Sequence, residues 1–173
     1  QDKTALFAQL GEQGASTRGV RRTLHQLARL TDDTLRQLWT RAGFGAGFAL
    51  VAVGGYGRAE LFPSSDVDVL VLLPDGVLPD GDETLKTRLE GFIGSCVRTT
   101  ADCVAEAAKD VTVQTSLLEC RLIVGTRSQF TALVQRLGEI MDPKAFFVAK
   151  TLEMRQRHTK YENTPYSLEP NCK

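Results

Sequence analysis

Two aspartates one residue apart, Asp66 and Asp68, follow shortly after a Gly54-Gly55-Tyr56-Gly57 turn. Side chains alternate along a strand, so the pair projects from one face with α-carbons about 6.6 Å apart, at about 3.3 Å per residue. Carboxylates so placed can converge on a hard divalent cation, and Mg2+ prefers a few carboxylate oxygens completed by water and phosphate. In a two-metal arrangement one ion lowers the pKa of an attacking hydroxyl while the other stabilises charge on the leaving group. With a nucleoside triphosphate as donor, that leaving group is pyrophosphate.

The glycines supply the complementary half. Gly54 and Gly55 carry no β-carbon to hold a phosphate away, and a short helix expected over residues 58–62 would aim unpaired N–H groups and a positive dipole end at it. Ser64 or Ser65 could add a hydroxyl, and Arg58 could meet a phosphate or pair with a carboxylate. Taken alone, G-G-Y-G reads as a tight turn and D-x-D as a solvated strand end. Their conjunction carries the functional reading, because the neighbouring residues Val67 and Val69 to Leu73 are all apolar. Uncompensated buried carboxylates are costly, and perturbed carboxylates cluster at functional sites. The reading therefore expects Asp66 and Asp68 to belong to a largely buried strand.

The elements that must position these groups follow from periodicity and punctuation. Residues 17–41 carry Val20, Leu24, Leu27, Leu35, Leu38 and Trp39 near helical spacing, with Thr31, Asp32 and Asp33 as a break or new cap. Phe48 to Val53 reads as a strand buried on both faces, running straight into the glycine turn, and Asp66 to Leu73 as a second strand pairing with it. Asp82 is expected to cap a helix reaching Cys96, and Thr99 or Thr100 one reaching Lys109, with only Val97 and Arg98 between. That junction lacks turn residues, which suggests a missing stretch. Asp110 caps a segment to Cys120, Arg121 to Val124 is a strand or helix end stopped by Gly125, and Ser128 caps residues 129–137. Asp142-Pro143 opens a last helix to about Tyr161, proline occupying the position that needs no donor.

The bulk numbers leave function to this local constellation. At 173 residues the chain suits one domain. Lys plus Arg and Asp plus Glu number 21 each, so no global field draws it to nucleic acid or to an anionic membrane. No apolar run approaches membrane-helix length and no secretory layout opens the chain, which predicts a cytoplasmic protein. Cys96, Cys103, Cys120 and Cys172 form no C-x-x-C pair and, with only His25 and His158 beside them, argue against zinc. The absence of an initial methionine at Gln1 and the stop at Lys173 predict a fragment of something longer. Within it, helices fill about 1–43, a catalytic sheet core about 44–125 and a helical C-terminal part about 126–173, forming one domain. The fold expected is α/β (α+β), a small mixed sheet with flanking helices.

At Gly54, Gly55, Asp66 and Asp68 the sequence resembles the nucleotidyltransferase superfamily. More narrowly, GGYGRAELFPSSDVDVLVLL, the V-R-T at Val97, LLECRLIVG at Leu117 and RHTKYENTPYSLEPNCK at Arg157 resemble the PII uridylyltransferase/uridylyl-removing family. The resemblance implies Mg2+-dependent transfer of UMP from UTP to a tyrosine of PII, with Asp66 and Asp68 holding metal and Gly54, Gly55, Ser65 and Arg58 at the nucleotide. It also implies an HD-type hydrolase domain and paired ACT domains in cis. Where that family places a Trp-containing turn and a strand ending in Gly-His-Ser before V-R-T, Cys96 here passes directly to Val97, so a third acidic position is left unassigned. An adenylyltransferase acting on a protein or small molecule, a toxin-antitoxin-type transferase and a non-catalytic nucleotide-binding module are the competing readings.

Weaker candidates lie on the last helix, where Lys150, Met154, Arg157 and Tyr161 share a face near Arg155, His158 and Lys160. Arg157 or Lys160 could reach a triphosphate, against the plainer reading of a solvated helix with cations near its C-terminus. Trp39, Phe44, Phe48, Phe146 and Phe147 are expected in the core.

Overall fold

The computed structural model describes residues 16–63, 65–77, 83–90 and 96–160, and the single positions 5 and 8. Helix α1 (Thr17–Ala42) is continuous, opened by Ser16, whose hydroxyl accepts from the Gly19 N–H at 3.1 Å. The break expected at Thr31–Asp33 does not occur. Thr31 and Thr34 turn their hydroxyls back onto the Leu27 and Leu30 carbonyls at 3.0 Å, so their appetite for backbone partners is met inside the helix. Asp32 is buried rather than capping.

Four strands form one sheet in the order β3-β2-β1-β4: β1 (Ala49–Ala52), β2 (Val69–Leu73), β3 (Cys96–Thr99) and β4 (Arg121–Gly125). Strand β1 runs antiparallel to both neighbours, while β2 and β3 are parallel, with helix α3 (Glu83–Glu90) between them in sequence. Cys96 therefore starts a strand instead of ending a helix, and Asp82 lies outside the described residues. The V-R-T piece is an edge strand, which explains its extended look. Residues 91–95, where the missing stretch was expected, also lie outside the description.

Every residue of β1 and β2 is buried because both faces are covered. Leu50, Ala52, Val69, Val71 and Leu73 meet Leu27, Ala28 and Trp39 of α1. On the other face Ala49, Val51, Leu70 and Leu72 meet Cys103 and Ala107 of α4 (Thr100–Lys109), Leu117 of α5 (Val111–Leu118), and Leu133 and Leu137 of α6 (Arg127–Ile140). Complete burial of each such leucine is worth about 1.5–3 kcal/mol.

Several helix starts follow the sequence reading. Thr99 and Asp102 make a reciprocal capping box for α4, and Asp110 accepts from the Thr112 N–H at 2.7 Å to open α5. Asp142 accepts from the Lys144 and Ala145 N–H groups at 2.9 and 3.2 Å at the head of α7 (Pro143–Lys160). Ser128 is not a cap: α6 begins at Arg127, and Thr126 in the cap position accepts from the Gly47 N–H at 2.9 Å instead. Trp39, Phe44 and Phe48 stack in sequence, with centroids 4.2 and 5.5 Å apart. Phe147 does not join the core, being 71% exposed on α7. Among the described residues no helix is long and apolar enough to cross a membrane.

The register fixes the site. Ala52 faces Val69 across β1 and β2, and the Val53 N–H extends the ladder to the Asp68 carbonyl at 3.1 Å. The residues leaving β1 and those entering β2 are thereby held side by side.

Candidate active site

What leaves β1 is a single helical turn, α2 (Gly54–Gly57), so the glycines themselves form the helix that was expected over residues 58–62. Arg58 and Ala59 continue as a turn, Ala59 at a left-handed φ of 59°. Gly54 also has a positive φ, 57°, which an L side chain enters only with strain. A β-carbon there would stand 3.7 Å from Asp68 Oδ2 and 3.9 Å from Ser116 Oγ. The glycine thus floors a cradle whose walls are a carboxylate and a hydroxyl. Gly55 is exposed, and a β-carbon there would lie 3.7 Å from an Arg58 guanidinium nitrogen. Gly57 serves packing: a β-carbon would run into the Glu119 carbonyl, whose carbon alone would be 2.8 Å away.

Asp66 and Asp68 are exposed and precede β2, which begins at Val69. The expectation of a largely buried strand is therefore corrected: Val67 is 39% exposed as well, and both carboxylates sit in an extended lead-in open to water. Asp68 lies beside the glycine turn, its carbonyl accepting the Val53 N–H and its carboxylate near Gly54, and neither aspartate carries a burial penalty. Ser65 is exposed, its N–H donating to the Phe62 carbonyl at 3.1 Å; Ser64 lies outside the described residues. Arg58 takes the carboxylate partner of its two alternatives. It pairs with Glu119 and stands 3.6 Å from Glu60, which also holds Arg21 at 3.3 Å.

The donor set suits a hard cation carrying a phosphate. It consists of oxygens only, and it flanks a space that a β-carbon at Gly54 would fill. Among the described residues no group of three or more His, Cys, Asp or Glu is placed to hold a metal ion.

Behind the turn lies a network that sequence reasoning missed. The Tyr56 hydroxyl donates to Asp32 Oδ1 at 2.5 Å. Arg121, the first residue of β4, donates to Asp32 Oδ2 and Oδ1 at 2.7 and 3.1 Å, and its guanidinium lies 5.5 Å from the Tyr56 ring centre. Burial, and then the Asp32 hydrogen bond, hold the Tyr56 phenol well above its ordinary pKa. For Arg121 burial works against the charge, but the Asp32 carboxylate outweighs it and the pKa stays raised. The partners are 24 to 89 positions apart in the chain, so no local spacing could have joined them. Ser116 was equally invisible, since only the packing of α5 against α2 brings it to Gly54.

Two cations of α7 answer to their own helix. Lys150 and Arg157 both end on Glu153, at 2.5 and 2.8 Å, and His158 is exposed. Cys96, Cys103 and Cys120 are unpaired thiols; Cys103 is buried against the sheet, and burial raises its pKa to about 12.

The profile of the nucleotidyltransferase domain family matches residues 33–124, which take in the glycine turn, both aspartates and Ser116. The chain is 55% identical over 160 residues, 87% of its length, to a bifunctional uridylyltransferase/uridylyl-removing enzyme of Burkholderia orbicola (strain AU 1054). It is 53% identical over 179 residues to the enzyme of the same description from Burkholderia mallei (strain ATCC 23344). The chain spans only 18–20% of the length of these relatives. Those 179 aligned positions exceed the 98% of this chain that they cover, so the relative carries residues with no counterpart here. Among solved structures, a toxin-antitoxin MntA-HpeT mutant overlaps 76% of the chain at 12% identity, with a TM-score of 0.35.

Proposed function

Because the chain belongs to the nucleotidyltransferase domain family, we propose that it transfers UMP from UTP to a tyrosine hydroxyl of the PII signalling protein, releasing pyrophosphate. The observation that carries this reading is the cradle at Gly54, where the absent side chain leaves space beside the Asp68 carboxylate and the Ser116 hydroxyl. The identity of just over half to uridylyltransferases along most of the chain supports uracil as the base.

In this reading the triphosphate rests on Gly54 and Gly55, first-turn residues whose N–H groups have no intrahelical acceptor. Ser65 and Ser116 offer hydroxyls to its oxygens. Asp66 and Asp68 would hold Mg2+, which when bound neutralises phosphate charge and lowers the pKa of the attacking hydroxyl. Arg58, paired with Glu119 and about half exposed, reaches a phosphate only by exchanging partners, and its role is secondary. The nucleophile belongs to PII, so the chain's task is to orient the α-phosphate for in-line attack and to meet the charge that develops there. In this reading the chain is part of a longer cytoplasmic enzyme with HD and ACT domains in cis, in keeping with its spanning 18–20% of the relatives' length.

The test is label transfer. With PII and Mg2+, α-labelled UTP should leave label on PII, while ATP, CTP and GTP should not. Preference for ATP would make the chain an adenylyltransferase, and UTP binding without transfer would make it a non-catalytic module.

A further inference from the structure

Tyr56 lies in the middle of the glycine turn, yet its side chain leaves the cradle for the core on the α1 side and is only 2% exposed. We propose that Asp32 and Arg121 are positioning residues that act through Tyr56 to hold the Gly54–Gly57 turn in the shape that receives phosphate. The inference rests on the reading of that turn as the seat of the triphosphate.

Besides an ion pair with Arg36 of its own helix at 3.6 Å, the buried Asp32 carboxylate serves this turn and its immediate support. One oxygen takes the Tyr56 hydroxyl, and both take Arg121, whose second nitrogen also approaches the Tyr56 carbonyl at 3.5 Å. Arg121 is itself fixed, because its backbone pairs with Ala52, the last residue of β1 before the turn. Tyr56 is thus gripped at its hydroxyl, its ring face and its carbonyl, and the same carbonyl accepts the Ala59 N–H at 3.0 Å.

Stability alone is a poor reason for the arrangement. A buried ion pair contributes little over apolar residues of the same volume, and α1 presents Leu27, Ala28 and Trp39 to the same core. What the pair supplies instead is a fixed location. The turn it grips runs into Ala59, a non-glycine residue at a left-handed φ of 59°, and such a conformation persists only where the surroundings over-determine it. Displacing a phosphate seat by about 1 Å can lower the rate as much as a hundredfold. Asp32 stands one residue before the segment that the family profile covers, in the helix whose C-terminal part that segment includes.

The experiment compares wild type with Asp32→Asn and Tyr56→Phe, measuring the dissociation constant and KM for each of the four nucleotides, kcat, and the folded fraction by circular dichroism. For whichever nucleotide the wild type binds, both variants should raise KM by about tenfold or more per folded molecule, with Tyr56→Phe losing little folded protein. Unchanged KM and kcat per folded molecule, whatever the loss of stability, would reduce the network to a structural role. If Asp32→Asn fails to fold, Tyr56→Phe decides alone, since it removes one hydroxyl and keeps the ion pair. Wild type that binds no nucleotide would overturn the reading of the turn itself, an outcome visible before any variant is compared.

Discussion

At the scale of single residues the two ends of the glycine turn do different work. Gly54 is open to the cradle, whereas Gly57 is pressed against the Glu119 carbonyl. Alanine at 57 has no space unless the backbone of α2 or the lead into β4 moves, so Gly57→Ala should destabilise the fold by about 1–3 kcal/mol or more, measured by urea unfolding. A change within experimental error would mean that the turn yields freely, against the packing described. The aspartates show a sequence argument whose burial premise the structure corrects. Asp66 and Asp68 were legible because D-x-D follows a glycine turn, but the inference from burial failed, since the strand starts only at Val69. Arg58 was legible as a choice between phosphate and carboxylate, and Glu119, distant in sequence, settled it.

At the scale of elements, continuous apolar runs announced β1 and β2, since both faces of the central strands are covered. The local signals at Thr99, Asp110 and Asp142 announced three helices, because a cap is a contact between near neighbours. The Thr31–Asp33 signal misled, because Asp32 is claimed by residues on α2 and β4. Helix α4 carries a prediction of its own. Cys103 packs against the sheet with its pKa raised from 9.0 to about 12. A raised folded value favours the protonated thiol, so its contribution is complete below pH 9.0 and is lost as pH rises towards about 12. The melting temperature should fall across that window, and Cys103→Ala, although less stable at neutral pH, should show a shallower alkaline decline. An identical slope in the variant would assign the alkaline loss to other groups.

For the molecule as a whole, the antiparallel pairing of β1 with β2 turns residues separated by the loop 58–65 into neighbours, and this is the step that makes a site from two motifs. Strand order and register lay beyond the sequence because they depend on which distant runs pair. The helical C-terminal part is attached lightly, and α7 exposes Phe147, Val148, Leu152 and Met154. Phe147 therefore misled a reading that assigned it to a core, while Phe146 is half-buried. The proposal that the Gly54–Asp68 cradle carries out nucleotidyl transfer meets its test in the chemistry itself. Its most direct measurement is pyrophosphate release from UTP, with Mg2+ and PII present, by wild type and by the Asp66→Asn/Asp68→Asn double variant at matched folded concentration. Release by the wild type and a loss of at least about a thousandfold in the variant, with the circular dichroism spectrum unchanged, is the predicted result. An unimpaired double variant would contradict the account.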